Sequence, residues 1–195
     1  MILTRIIYVG AAHGARKTQI VERAVAKLRD AGHEVFHIDA GDYIRDVISR
    51  YYQDRKFSQL SDHEKRRVNI DAFREVKPTL EKHAFVVVSG HFAVSFGDPD
   101  KYIAIPLDKD TFAQPLASVA DHLVFLNRTA TKLRKQLKEP HGSMQFRQRT
   151  HIANKLMARE TQHTYQKPLT IIPIRSEKDA VSRLENLLLK IKQSK

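Results

Sequence analysis

Lys17 and Thr18 stand side by side where a strand-like run and a glycine-containing loop give way to a helix, in MILTRIIYVGAAHGARKTQI. A lysine and a hydroxyl at a helix start can grip a triphosphate. The amine reaches the terminal phosphates, the hydroxyl ligates magnesium, and the free N–H groups of the first helical turn point at the anion. In the pattern G-x-x-x-x-G-K-S/T that does this, Ala11 replaces the first glycine and Arg16 the second. In this register Ala12, His13, Gly14, Ala15 and Arg16 form the cradle, and Lys17 is expected at an exposed helix start. Arg16 would have to hold a backbone shape that costs a side-chain-bearing residue about 1–2 kcal/mol, offset if its charge meets a phosphate. The plainer reading of AAHGARKT is an ordinary strand-to-helix turn.

After the second strand the chain reads HIDAGDYIRDVI (37–48). This resembles the segment h-I-s-T-G-D-h-h-R of adenylate kinases and related nucleoside monophosphate kinases, with Gly41, Asp42 and Arg45 matching in type and spacing. Residues 86–107, VVVSGHFAVSFGDPDKYIAIPL, are similar to a segment of the archaeal-type branch of that family, through His91, Gly97, Tyr102 and Pro106. Residues 121–137, DHLVFLNRTATKLRKQL, resemble its strand and arginine-bearing helix before the lid. The resemblance runs through nearly the whole chain in order. It implies a P-loop, ATP-binding transferase with a degenerate loop, which passes a phosphoryl group from ATP to a nucleoside monophosphate with Mg²⁺ as cofactor. It also implies roles: Arg45 holds the acceptor's phosphate, with Gly41, Asp42 and His91 beside it. Arg134 lies by the ATP base. Arg147 and Arg149, in GSMQFRQRTHIANK, grip phosphates from a short lid.

Three departures go with the resemblance. The family's magnesium-ordering acid at the end of the third strand is Ser89 here, and the nearest replacements are Asp39 and Asp42. Thr18 and Asp39 are therefore the expected metal-site residues. Ala93, Val94 and Ser95 occupy the stretch where a second acceptor-binding cation is expected, and the lid lacks acidic partners for its arginines. These support an alternative: a catalytically weakened nucleotide-binding or RNA-associated protein on a kinase fold. Each residue also has a bland reading. Asp42 can cap a helix starting near Tyr43, Arg45 can be a solvated helix residue, and His91 can be a satisfied strand-end histidine. Arg147 and Arg149 can belong to a basic helix face, and Ser89 can be packing.

These residues need a scaffold, and the apolar pattern supplies one. Short buried runs at 5–9, 35–38, 85–89, 122–126 and 169–174 read as strands. Helical stretches are expected at 17–31, 42–53, 61–83, 129–138, 146–166 and 177–192. Gly32 stops the first helix, Ser61 and Glu64 form a capping box, and Pro78 is a possible kink. Strands buried on both faces and separated by helices predict a three-layer α/β/α fold with five parallel strands. Ligands then lie beyond the strands' carboxyl ends, near 10–18, 39–45, 89–97 and the stretch after Leu126. Residues 1–195 form one domain in this reading, with a monophosphate-binding insert at about 40–83 and a lid at about 138–150.

Composition bounds the rest. An apolar content of 42% supports a real core, and the absence of cysteine excludes disulfides, thiol catalysis and cysteine–zinc sites. No apolar run is long enough to span a membrane, and IIYV is far too short for a signal peptide, so a cytoplasmic location is expected. The net charge of +12, from 34 Lys and Arg against 22 Asp and Glu, favours polyanionic partners: nucleotides, or RNA. The basic residues are spread along the chain without a tail or block, which weakens the RNA reading. The ten histidines are scattered without metal-ligand spacing.

Overall fold

Five strands align in parallel around central strands that are buried on both faces. The computed structural model describes residues 4–12, 14–53, 55–92, 119–129 and 144–194, with backbone alone at 58, 62, 144–147 and 149. The strands are β1 (Arg5–Ala11), β2 (Phe36–Asp39), β3 (Phe85–Gly90), β4 (His122–Asn127) and β5 (Leu169–Pro173), in the spatial order β2-β3-β1-β4-β5. The helices are α1 (Lys17–Asp30), α2 (Ala40–Tyr51), α3 (Asp62–Leu80), α4 (Met144–Tyr165) and α5 (Glu177–Gln193). This is the expected five-stranded α/β/α architecture.

Strand alternation divides the core in two. Ile7, Val9 and Ala11 of β1 pack with Ile20, Val21, Ala24 and Leu28 of α1 and with Leu184 and Leu188 of α5. Ile6 and Tyr8 face the opposite layer, with Val47 and Ile48 of α2, Val68, Ala72 and Val76 of α3, and Met157 of α4. The loop after β1 therefore leads to one face of the sheet and the loop after β2 to the other. The crevice between such diverging loops is where ligands of parallel α/β sheets bind.

Helix ends follow local chemistry. Past α1, Gly32 takes φ 80°, and its N–H reaches the Arg29 carbonyl while the His33 N–H reaches Leu28. Ser61 and Glu64 cap α3 reciprocally, as expected, and α3 ends at Leu80, two residues past Pro78. One boundary corrects the sequence reading. α2 begins at Ala40 with Asp39 as its cap, so Asp42 lies inside the first turn and is not the capping residue. Residues 144–150, expected in a lid, form the first turns of α4. The helix expected at 129–138 and residues 93–118 fall almost wholly outside the described residues.

Candidate functional site

The turn from β1 into α1 is shaped by two left-handed residues. The Ala15 N–H bonds to the Ala12 carbonyl at 3.2 Å, and Gly14 sits at φ 80°. Arg16 then takes φ 57°, ψ 33°, the strained conformation anticipated from the missing glycine. α1 starts with no side-chain cap and no acidic residue in its first turn. Its leading N–H groups and the positive end of its dipole are left to whatever anion arrives.

Asp39 closes this turn from the end of β2. Its Oδ2 accepts from the Thr18 hydroxyl at 2.9 Å and its Oδ1 from the Gly41 N–H at 2.9 Å. The Lys17 ammonium stands 3.9 Å from Oδ1. Burial pushes the Asp39 pKa up, but Lys17, the Gly41 N–H, the Thr18 hydroxyl and His37 outweigh it and hold the carboxyl below its ordinary value. Lys17 is only 7% exposed, against the expectation of an exposed helix start. Burial lowers its pKa, Asp39 and Asp42 oppose the shift, and Arg45 adds to it.

Arg16 turns away from this cluster. Its guanidinium pairs with Glu177 at the start of α5 at 3.1 Å, and Arg23 meets the same carboxylate. An ion pair within the protein thus sits where a phosphate contact was anticipated. Arg128, just past β4, belongs to this neighbourhood. Burial and then the charge of Arg16 lower its pKa, with Glu177 opposing. Sequence reasoning had placed the flanking arginine at Arg134, which lies outside the described residues, as does His13. Arg147 and Arg149 are on α4, with side chains outside the described set.

The end of β3 is held by bonds to both neighbouring strands. Ser89 is fully buried, stands 3.2 Å from His37 Nε2, and is in register with both Asp39 and Val9. Asp39 thus lies one strand over from Ser89, at the same level of the sheet. His91 donates from Nδ1 to the Ala11 carbonyl at 2.8 Å, and its own carbonyl accepts from the Tyr8 hydroxyl at 2.8 Å. It ties β3 to β1. Next to it, Gly10 and Gly90 lie in register, and a methyl on either would strike Phe92 or Tyr8.

A cleft of about 1120 Å³ runs from Gly14–Thr18 and Asp39 past His91 to the gap between α2 and α3. Arg45 lines it, paired with Asp42 across a helical turn. The far end holds Arg55, Lys56, Phe57 and Asn69, none of which sequence reasoning singled out. The one available signal was Asn69 itself, a polar residue in the buried stripe Val68, Ala72, Val76 of α3.

Among the described residues no three acidic or histidine side chains converge on a metal position. The adjacent Thr18 and Asp39 oxygens nonetheless fit magnesium, a hard ion bound through one or two protein oxygens plus substrate phosphates and water. No helix among the described residues is long and apolar enough to cross a membrane. Compared with known proteins, the chain matches no protein-family model and no curated sequence.

Proposed function

We propose that the protein is an ATP-dependent nucleotide kinase of the adenylate-kinase type, transferring a phosphoryl group to a nucleoside monophosphate. One observation carries the reading. Lys17, Thr18 and Asp39 converge at the uncapped start of α1, in a cleft that continues to Arg45 and beyond. Phosphoryl transfer needs two phosphates held in line with positive charge on the equatorial oxygens, and little covalent chemistry from the protein. The α1 N–H groups and Lys17 hold the donor's terminal phosphates. Arg45 leaves Asp42 for the acceptor's phosphate, an exchange made easy by the exposure of both side chains. Thr18 and Asp39 hold magnesium, which supplies charge neutralisation at the phosphate oxygens. Arg128, Arg147 and Arg149 are candidates for further phosphate contacts.

A second reading has its own observation. Lys17 is paired with Asp39, and Arg16 is strained and spent on Glu177. A phosphate must compete for both cations, which favours a weakened nucleotide-binding protein with RNA as the other candidate polyanion. A coupled assay of ATP with each nucleoside monophosphate separates the two. Turnover with magnesium is the expected result. Triphosphate binding without turnover would leave the weakened reading, and no triphosphate binding would remove both. For RNA, a gel-shift titration at low and physiological salt is the test, because counterion release demands steep salt dependence. No shift at low salt would leave the +12 charge as a solvated surface.

A further inference from the structure

Asn69 sits in the middle of α3, 4% exposed, on the stripe that buries Val68, Ala72 and Val76 against the sheet. Its amide makes no hydrogen bond with any described residue, and it lines the far end of the cleft. A side-chain amide offers a donor and an acceptor side by side, and this one faces the cleft. Its neighbours on the stripe are the aliphatic Val68, Ala72 and Val76 and, one turn earlier, the buried Lys65. The walls around it are Ile44 and Ile48 of α2 and the Phe57 ring, all packed on the core. Arg45, Arg55 and Lys56 supply positive charge in the same cleft. Apolar walls suit a flat ring, the cations suit a phosphate, and the amide suits a ring edge that carries adjacent donor and acceptor atoms.

We infer that Asn69 is a specificity-determining residue that reads the hydrogen-bonding edge of the acceptor's nucleobase, with the ring between Phe57 and the Ile44–Ile48 face of α2. The inference rests on the acceptor reading of the cleft and deepens it: the acceptor is a base-bearing monophosphate, discriminated by its base. A side-chain amide pairs bidentately with such an edge, and a site built to hydrogen-bond strongly rejects ligands that leave it unpaired. In the free protein the amide faces the cleft without a bond to any described residue, so a ligand's ring edge can take it without breaking a contact of the fold.

The test is calorimetric binding of AMP, GMP, CMP, UMP and ribose 5-phosphate to the full chain and to Asn69→Leu, with melting curves of both. The wild type is expected to rank the bases, the best binding about 10-fold or more tighter than the worst. Asn69→Leu should collapse that ranking, leave ribose 5-phosphate affinity within about 2-fold, and melt at the same or a higher temperature. Asn69→Asp, which can only accept, should shift preference toward GMP, whose ring edge presents two adjacent donors. An unchanged ranking in Asn69→Leu would overturn the role of Asn69 while leaving the kinase reading standing. So would a wild type that binds all four bases equally, or a melting temperature lowered by more than about 5 °C, the sign of a lost structural bond. If no monophosphate binds the wild type, the acceptor reading falls and takes the inference with it.

Discussion

The two ends of the cleft treat their polar groups in opposite ways. At the β1–α1 end, Asp39 is bound at once by Lys17, Thr18 and Gly41, and Lys17 is almost wholly buried. At the α2–α3 end, the Arg45–Asp42 pair is 70% and 60% exposed and Asn69 has no partner among the described residues. The first end is part of the fold, and the second is an opening that the fold leaves unfilled. Removing the Asp39 carboxylate that ties the first end should therefore change stability and binding together, while substitutions at the open end should change binding alone.

The largest effect is expected from Asp39→Ala. It strands a buried ammonium, frees the Thr18 hydroxyl and removes the α2 cap, so stability should fall by about 3 kcal/mol in urea denaturation. The same carboxylate makes a pH prediction. Its folded pKa lies below the ordinary carboxylate value, so its contribution is present above the unfolded pKa and lost as pH falls through the folded one. In acid melts the wild type should lose that increment below about pH 4, and Asp39→Asn should lack it. Equal acid profiles would break the claim that this end is tied.

Lys17→Met comes next. It removes the cation we propose for the terminal phosphates and should weaken triphosphate binding about 10- to 100-fold, the range of a charge-assisted contact. Because Asp39 keeps two hydrogen bonds and the cost of burying an ammonium disappears, stability should change by under about 1 kcal/mol. Isothermal titration with ATP checks the first part; unchanged affinity means the loop does not hold phosphate.

Arg45→Ala should raise the acceptor KM about 10-fold and the ATP KM far less, with stability within about 0.5 kcal/mol of wild type. Equal effects on both substrates, or a melting point that drops as far as for Asp39→Ala, would erase the contrast between the two ends. The smallest effect belongs to Arg16→Gly. Glycine relaxes the left-handed backbone by about 1 kcal/mol, and the lost half-exposed pair with Glu177 subtracts up to about 1 kcal/mol. A net change between zero and about 1 kcal/mol of added stability is expected, together with a modest weakening of triphosphate binding. A clear loss of stability would mean the Glu177 pair outweighs the strain.

The legible parts of this molecule were those written locally. IIYV, FVVVS and HLVFL announce strands buried on both faces, and Ser61 with Glu64 announces a helix start. The strain at Arg16 could be read because an arginine in a glycine slot has few backbone choices. The clamp on Asp39 was half legible. Two acids three residues apart can each cap α2, and the choice depends on a hydroxyl on a helix that crosses from β1 toward β2. Strand order, which no local pattern encodes, decides it. Asn69 was illegible for the same reason. Whether a polar residue on a buried stripe is satisfied depends on how α2 lies against α3.

The paired glycines carry a consequence for how this sequence can vary. Gly10 and Gly90 sit abreast, and the space each leaves is taken by a ring from the other strand's neighbourhood, Phe92 over Gly10 and Tyr8 under Gly90. Neither glycine can accept a methyl on its own, and neither ring can be enlarged. Drift at these four positions is therefore confined to joint moves: Gly10→Ala with a smaller residue at Phe92, or Gly90→Ala with Tyr8 shortened. The second move also gives up the Tyr8 bond to the His91 carbonyl. In a library randomised at all four, surviving clones should show alanine and truncated rings together and almost never apart, the mark of strong non-additivity between touching residues.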